Sequence, residues 1–436
     1  MTKATRRDFL EIAGVTMGAG MAGILASGHA PAFAQGTTVH WLRWNDFVPA
    51  CDQLFRQQII PAAEKALGIK VRYETVNGND LQPRITAGIQ SGAGPDVMML
   101  FNNHPHLYRA SLADVSDVAE EVAKAQGGWY RVASANSSSG GKFFAIPMAL
   151  IPAMNAYRKS MFAEVGYNSF PNTWDGYRDL GKKLKAKGYP IGQSFGQSFG
   201  DPPTFAYPLL WSFGGAEIDS GGKVIINSKE TVEAVKWMTA AWKDSFDEGG
   251  LAWDDASNNR AFLSGTICST LNGASIYIES KRKPDQYKQA NGSPLHEDIA
   301  HAPLPGGPKG QFGFHTFTSH VIPSYSKNVK AAKDLMRFVL TADNYAQWFE
   351  TGQGFYAPGT TSWETHALWK KDPAMAPFAI AGKSGLTPGY PGEPNAKAAE
   401  VLTKYLIGNM FAAAIKGQKA EDAVAACAAA LSKIYA

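Results

Sequence analysis

The chain has 436 residues with a formal net charge of +4, 45% hydrophobic residues and 18% charged residues. This composition suits a chain that buries large cores, and the length exceeds what one core usually supports, so two domains are expected. The positive charges are spread along the chain, which argues against a nucleic-acid-binding or membrane-binding surface.

The first 34 residues have the pattern of a twin-arginine export signal. The pair Arg6-Arg7 precedes a weakly apolar run from Ile12 to Leu25, and residues 32–34 read Ala-Phe-Ala, the small-residue pattern of a signal-peptidase site. The apolar run is too short and too rich in glycine for a stable membrane span. Residues 1–34 are therefore predicted to be a cleaved signal peptide, and the mature protein is predicted to be periplasmic.

The sequence predicts neither a metal site nor a cofactor. Its three cysteines, Cys51, Cys268 and Cys427, lie far apart and form no Cys-x-x-Cys or Cys/His spacing, so buried and unreactive thiols are expected. A phosphate-binding loop and a dinucleotide-binding glycine motif at the start of a helix are both missing from the sequence.

The first part of the mature chain alternates strand and helix patterns. The predicted elements are a strand over Thr38–Trp44, a helix over Cys51–Leu67, a strand over Ile69–Val76, a helix through Ile89 capped by Asp80, and a strand over Val97–Phe101. This order predicts a parallel α/β layout, in which ligands bind beyond the carboxyl ends of the strands. The candidate contacts at those ends are Trp44, Asn45, Asp46, Phe101, Asn102, Asn103 and His104.

A second α/β region begins near Ala149. The predicted elements are a helix capped by Thr173 that runs through Leu184, a helix over Pro208–Phe213, a helix from Ser228 to Trp242, a strand near Ser319–Pro323, a helix over Val329–Leu340 and helical structure over Lys397–Tyr435. The proline-rich stretch at 302–308 is predicted to connect two compact units.

A repeated Gly-x-Ser-x-Gly pattern at residues 192–200 is the pattern of a serine nucleophile elbow. A secreted serine esterase using Ser194 or Ser198 is therefore an alternative. That chemistry needs a strand before the serine and a helix after it, but Pro190 shortens the strand and the prolines at 202–203 are expected to block an immediate helix. The pattern favours a flexible, hydrogen-bonding loop in a cleft.

Several short motifs, in this order, resemble the family 1 extracellular solute-binding proteins of ABC importers, a maltose-binding-protein-like group. They include Gly-Pro-Asp at 94–96, Gly-Lys-Phe-Phe-Ala-Ile-Pro at 141–147, Pro-Asn-Thr-Trp-Asp at 171–175, Leu-Trp-Ser-Phe-Gly-Gly at 210–215 and Asn-Gly at 272–273. The resemblance covers nearly the whole mature chain.

The resemblance implies an α/β fold of two lobes with a hinged cleft between them. Lobe one is expected over residues 36–149 and 306–353, and lobe two over 150–305 and 354–436. Such a protein performs no chemistry; it binds a small-molecule solute and hands it to the membrane permease of an ABC importer. A monomer without a nucleic-acid partner is expected.

The candidate solute is a small sugar or sugar alcohol. Maltose-type members carry a carboxylate where this chain has Ala149, Leu150 and Ile151, and a tryptophan where it has Ala274 and Ser275, so the maltodextrin platform is not reproduced. A polyamine or a phosphorylated polyol is the alternative. The remaining candidate contacts are Ser194 in the repeated loop, Trp211, Asn272, Phe314 and His315.

Overall fold

The computed structural model describes residues 36–436, and the predicted signal peptide lies outside them. The strands of this part of the chain are β1 (Thr38–Trp44), β2 (Lys70–Val76), β3 (Val97–Phe101), β4 (Ser138–Ser139), β5 (Lys142–Phe143), β6 (Ile146–Ile151), β7 (Met154–Arg158), β8 (Ser269–Asn272), β9 (Ile299–Ala302), β10 (Gly313–Phe314), β11 (Thr316–Val321), β12 (Ala357–Pro358) and β13 (Gly385–Leu386). The predicted α/β class is confirmed.

Helices separate most of these strands. Their bounds are Pro49–Leu54, Ile60–Leu67, Gly78–Ser91, Pro105–Tyr108, Ser116–Ala125, Arg131–Ser137, Lys159–Glu164, Trp174–Lys185, Asp201–Phe213, Lys229–Ser245, Ser257–Leu263, Ser275–Arg282, Val329–Val339, Ala342–Thr351, Ala367–Lys371, Ala381–Ser384, Ala396–Thr403, Leu406–Ile415 and Ala420–Tyr435. Within residues 36–436, no helix combines the length and apolar character needed to cross a bilayer.

A six-stranded mixed sheet, in the order β12-β6-β11-β3-β1-β2, organises the first lobe. The strands β2, β1 and β3 run parallel, whereas β11 pairs antiparallel with both β3 and β6. All five residues of β3 are buried, as expected for an uninterrupted apolar strand covered on both faces. The ends of β1 and β3 therefore lie side by side at one edge of this sheet.

A three-stranded antiparallel sheet, in the order β8-β7-β9, organises the second lobe. The chain passes from β6 of the first sheet to β7 of the second in two residues, Pro152 and Ala153. The buried apolar side chains form two clusters: the first contains Trp41 and Leu150 and reaches the second sheet at Met154, and the second contains Tyr177 and Phe205. Two cores in one chain follow from its length, because a single core stops growing at about 250–300 residues.

Three local predictions need correction. The helix Gly78–Ser91 is capped by Asn77, whose side chain accepts from the Asn79 N–H, and not by Asp80. The helix predicted over Pro208–Phe213 begins at Asp201. Its prolines at 202–203 stand in the first turn, where a missing N–H costs nothing, so they begin a helix instead of blocking one.

The helix cap at Thr173 and the burial of the cysteines are confirmed, and Ser228 caps the helix Lys229–Ser245. The Thr173 hydroxyl accepts from the Gly176 N–H, and the Ser228 hydroxyl accepts from the Thr231 N–H. All three cysteines are buried and free. Burial raises the pKa of each thiol, to about 12 for Cys427, which disfavours the reactive thiolate.

Candidate ligand-binding cleft

Side chains of both lobes line two neighbouring cavities. The first, which we call the acidic cavity, has a volume of about 330 Å³ and is partly open to solvent. Its lining residues are Trp44, Phe47 and Thr316 of the first lobe, Ile151 and Phe355 next to the crossings between the lobes, and Phe199, Gly200, Asp201, Asp255, Asn272, Gly273 and Ser275 of the second lobe. Four aromatic rings thus face a surface of carboxyl, amide and hydroxyl groups.

The second, which we call the neutral cavity, has a volume of about 670 Å³. Its lining residues are Gly78, Asn79, Leu81, Gln82, Pro83, Leu100, Phe101 and His104 of the first lobe, with Phe199, Leu402, Thr403 and Tyr405 of the second. No aspartate, glutamate, lysine or arginine is among them.

The ring of Phe199 lies between the two cavities and lines both. It stacks on Phe101 with 4.1 Å between the ring centroids, and it meets Trp44 edge-on at 5.9 Å. The Phe199 N–H also donates to Asn79 Oδ1 over 3.2 Å. A side-chain carbon at Gly78 would lie 2.3 Å from the ring, so a glycine is needed where the first lobe approaches Phe199 so closely.

Hydrogen bonds fix the carboxyl group of Asp255 at the floor of the acidic cavity. It accepts from the Asp201 N–H over 2.8 Å, from the Gly200 N–H over 3.2 Å and from the Ser198 hydroxyl. The repeated loop and the start of the helix Asp201–Phe213 are therefore held by one carboxyl group on a different segment.

Asp201 presents a second carboxyl group to the same cavity. Its Oδ2 accepts from the amides of Asn258, over 2.6 Å, and Asn272, over 3.3 Å. The hydrogen bonds of the described residues leave its Oδ1 without a protein donor.

Burial raises the pKa of both Asp201 and Asp255, and the neighbouring Asp255 carboxyl raises the pKa of Asp201 further. Neither carboxyl group belongs to an ion pair of the described residues, whereas the adjacent Asp254 pairs with Arg260 over 3.8 Å. The acidic cavity thus holds two carboxyl groups with no basic partner from the protein, which favours their protonation.

Trp44 lines the acidic cavity, and hydrogen bonds to Tyr356 and, through it, to Asp46 fix the position of its indole ring. Its indole N–H donates to the Tyr356 hydroxyl over 3.2 Å, and that hydroxyl donates to Asp46 Oδ2 over 2.5 Å. Asp46 Oδ1 accepts from the Val48 N–H over 2.8 Å. Burial raises the pKa of Asp46 to about 7, and the nearby Arg43 guanidinium lowers it in part. The structure therefore places the Asp46 carboxyl against Tyr356, where it positions Trp44, and outside both cavity linings.

Four of the candidate residues named from the sequence line a cavity: Trp44 and Asn272 the acidic one, Phe101 and His104 the neutral one. Asn272 Oδ1 accepts from the Ser275 hydroxyl over 2.8 Å. Burial lowers the pKa of His104 to about 4, so its ring is neutral at pH 7, and its Nδ1 has no partner among the described residues. As solute contacts, all four stay predictions.

The other candidates in the first lobe lie outside both linings. Asn45 is exposed. Asn102 has a left-handed backbone, φ 50°, and its Oδ1 accepts from the Phe317 N–H over 2.9 Å, which joins β3 to β11. The buried side chain of Asn103 has no hydrogen-bond partner among the described residues.

The remaining candidates lie in or near the second lobe and serve its packing. The Ser194 hydroxyl donates to the Asp254 carbonyl oxygen over 2.8 Å. Trp211 and Phe314 are buried in the second hydrophobic cluster, with their ring centroids 6.3 Å apart. His315 Nδ1 accepts from the Ala153 N–H over 3.1 Å, and burial lowers the pKa of this histidine to about 4.

Sequence reasoning did not name Phe199, Asp201, Asp255 or Phe355 among the candidate contacts. For Phe199 and Asp201 a signal existed, because Phe199 is an aromatic residue next to a glycine within the second Gly-x-Ser-x-Gly pattern and Asp201 is an acid that directly follows it. Asp255 and Phe355 carry no such signal. They reach the cleft only through the packing of segments far apart in the sequence. The described residues also contain no group of three or more His, Cys, Asp or Glu side chains able to hold a metal ion.

Comparisons with known proteins agree with the two-lobed geometry. A relative from Deinococcus radiodurans, named probable ABC transporter-binding protein, is 26% identical over 215 residues, 48% of this chain and 49% of that protein. The alignment thus spans about half of this curated relative.

Solved structures match over nearly the whole chain. Maltose-bound MalE3 of T. maritima has a TM-score of 0.74 at 21% identity, covering 91% of this chain and 100% of that one. An ABC transporter solute-binding protein of Thermotoga lettingae, bound with alpha-D-tagatose, has a TM-score of 0.77 at 17% identity, covering 92% and 100%. At these identities the matches show the two-lobed fold of periplasmic binding proteins.

The family profile extends across both lobes. The profile described as bacterial extracellular solute-binding protein matches residues 52–346, more than half of the chain. The chain therefore belongs to the family of bacterial extracellular solute-binding proteins.

Proposed function

We propose that this protein is the substrate-binding component of an ABC importer and that it captures a small sugar or sugar alcohol between its lobes. The observation that carries the proposal is the acidic cavity, in which aromatic rings of both lobes face Asp201, Asp255 and Asn272. Sugars have apolar faces, which aromatic rings cover, and hydroxyl groups, which carboxyl and amide groups bind.

The available hydrogen-bonding atoms suit hydroxyl groups. Asp201 Oδ1 accepts no hydrogen bond from the described residues, so it is free for a solute hydroxyl. The solute-bound structures of similar fold, one with maltose and one with tagatose, support a sugar. The importer's permease as partner, an exported and periplasmic mature form, and the absence of catalysis belong to the same proposal.

The lobe boundaries are proposed as residues 36–149 with 306–353 and residues 150–305 with 354–436. The changes of sheet after β6 and after β9 support the first two crossings. At the third crossing the chain does not change sheet at once, because β12, at Ala357–Pro358, pairs with β6 in the sheet of the first lobe.

A polyamine is the second candidate solute, and the acidic cavity favours it over a phosphorylated polyol. A cationic solute would favour the ionised form of the two carboxyl groups, whereas a phosphate group would meet no basic side chain in the lining. The aromatic rings of the cavity would also bind an ammonium group by cation–π interaction.

The serine esterase alternative has weaker support. A serine nucleophile needs a histidine base within hydrogen-bond reach. In the described part of the chain, however, the Ser194 hydroxyl donates to the Asp254 carbonyl oxygen, and the Ser198 hydroxyl donates to the Asp255 carboxyl group.

A thermal-shift panel on the protein without residues 1–34 tests the assignment. The panel contains glucose, galactose, tagatose, ribitol and mannitol, with spermidine and glycerol 3-phosphate as charged probes. A solute at a hundred times its Kd stabilises the folded state by about 2.7 kcal/mol, which raises the melting temperature measurably.

Asp201→Ala should weaken the binding of a neutral solute by about 1–3 kcal/mol, because a facing hydroxyl would lose its partner. The matched control is Asp179→Ala, whose side chain is 62% exposed on the surface. A panel in which spermidine alone raises the melting temperature would replace the sugar by the polyamine.

Intact-mass measurement of the exported protein tests the location. We expect a mature chain that begins at Gln35, and we expect export to fail when Arg6→Lys and Arg7→Lys are combined. A chain that still begins at Met1 would contradict the proposed signal peptide.

A further inference from the structure

The neutral cavity is a second candidate binding site, separate from the acidic cavity. It is the larger of the two cavities described here, and its lining carries no formal charge. Two polar side-chain atoms of its lining residues, His104 Nδ1 and Thr403 Oγ1, are buried without a hydrogen-bond partner among the described residues. Neither atom has surface open to the cavity, so the polar side chains that line it for an occupant are Asn79, Gln82 and Tyr405, whose amide and hydroxyl groups suit a hydroxyl-bearing molecule.

Phe199 is the barrier between the neutral cavity and the acidic one. Its ring stacks on Phe101 at 4.1 Å, which leaves no room for a solute ring between them. Phe199 is the residue that the two linings share, so the cavities meet at this ring.

We propose that Phe199 determines the length of the solute: it limits binding to one sugar unit in the acidic cavity and separates a second, uncharged subsite that would hold another hydroxylated unit. The inference rests on the proposed function. Asn79, Gln82 and Tyr405 provide the polar groups of the second subsite, and Leu81 and Phe101 provide its apolar wall.

The chain contains a matched control for Phe199. The same five-residue pattern, Gly-Gln-Ser-Phe-Gly, places Phe195 four residues earlier, but that ring is only 4% exposed and packs on Phe205 and Trp242 inside the second lobe. Truncation of Phe195 therefore removes a ring from the same loop without joining the two cavities.

Calorimetric titration of the wild type, Phe199→Ala and Phe195→Ala tests the proposal, with glucose, galactose, tagatose, ribitol and mannitol as single-unit probes and maltose and cellobiose as two-unit probes. Wild type should prefer a single-unit probe. In Phe199→Ala the affinity for a two-unit probe should rise roughly tenfold relative to the single-unit probe, the gain that one or two added hydrogen bonds give. Phe195→Ala should keep the wild-type preference.

Adding Tyr405→Phe to Phe199→Ala should reduce the gain for the two-unit probe and leave the single-unit affinity unchanged. Phe199→Leu, which keeps most of the bulk, should behave as wild type and shows that the loop still folds. The inference is overturned if Phe199→Ala keeps the wild-type preference for single-unit probes, or if the wild type itself prefers maltose or cellobiose. Binding of any single-unit sugar in those experiments would still support the proposed function. Binding of no sugar by any variant overturns both.

Discussion

The two copies of Gly-Gln-Ser-Phe-Gly at residues 192–200 have the same sequence and opposite surroundings. In the first copy Phe195 is buried in the core of the second lobe, and the Ser194 hydroxyl donates to a backbone carbonyl oxygen. In the second copy Phe199 crosses to the first lobe, and the Ser198 hydroxyl donates to the Asp255 carboxyl group. The same five residues therefore pack the core of the second lobe in the first copy and line the cleft in the second copy.

The largest expected difference between the copies concerns stability. Phe195→Ala should lower the free energy of unfolding by about 3–5 kcal/mol, as is typical when a fully buried ring is removed. Phe199→Ala should cost only about 1–2 kcal/mol, because its half-buried ring borders two cavities and contributes mainly an aromatic pair. Urea unfolding of both variants measures the difference, and equal losses would contradict the two roles.

The two serines should differ by a smaller amount. Ser198→Ala removes a donor to a buried carboxyl group and should cost about 1–3 kcal/mol, whereas Ser194→Ala should cost about 0.5–1.5 kcal/mol. Urea unfolding checks this order.

The same serine variants test for esterase activity. With a panel of p-nitrophenyl esters, we expect no turnover by the wild type or by either variant. Turnover that disappears in Ser194→Ala or Ser198→Ala would instead favour the secreted esterase.

The smallest expected effect is on the pH dependence of stability. It concerns Asp255, whose carboxyl group accepts a hydrogen bond from Ser198 of the second copy. Burial raises the folded-state pKa of Asp255, so the folded protein holds a proton that the unfolded chain releases above its ordinary pKa of about 3.9. The free energy of unfolding therefore falls as the pH rises from that value through the folded pKa, by about 1.4 kcal/mol for each unit of difference.

Asp255→Asn should reduce this fall, measured by urea unfolding at pH 4.5 and pH 7.5. The buried histidines titrate in the opposite sense, but they are present in both proteins and cancel in the comparison. Asp179→Asn, at an exposed position, should keep the wild-type dependence. A variant with an unchanged slope would show that Asp255 is not protonated in the folded protein.

Local sequence signals accounted for much of the fold. The strand over Thr38–Trp44 and the strand over Val97–Phe101 have the predicted bounds, because β-branched, aromatic and continuous apolar runs favour strands wherever they are buried. The caps at Thr173 and Ser228 depend on a hydroxyl and an N–H three residues apart, which the sequence alone places. The prolines at 202–203 were misinterpreted, because proline is tolerated in the first turn of a helix although it breaks a helix interior.

The site was less accessible to sequence reasoning. The rule that ligands bind at the carboxyl ends of parallel strands indicated the right edge of the sheet, and Trp44, Phe101 and His104 line the cavities there. The same rule could not show that the Asp46 carboxyl is used by Tyr356, more than three hundred positions later in the chain. Side-chain direction at a strand end depends on partners that the local sequence does not contain.

The sequence by itself determined the two-core organisation, the order of strands and helices, and the family resemblance, because periodicity, capping and chain length act locally or through composition. Only the tertiary structure decided which carboxyl groups meet in the cleft and which phenylalanine of the repeated loop separates its two cavities. Asp201 and Asp255 are 54 positions apart, and their contact forms when the start of one helix packs against the loop before another. Such contacts between distant segments depend on how the whole chain packs, so no local pattern could have indicated them.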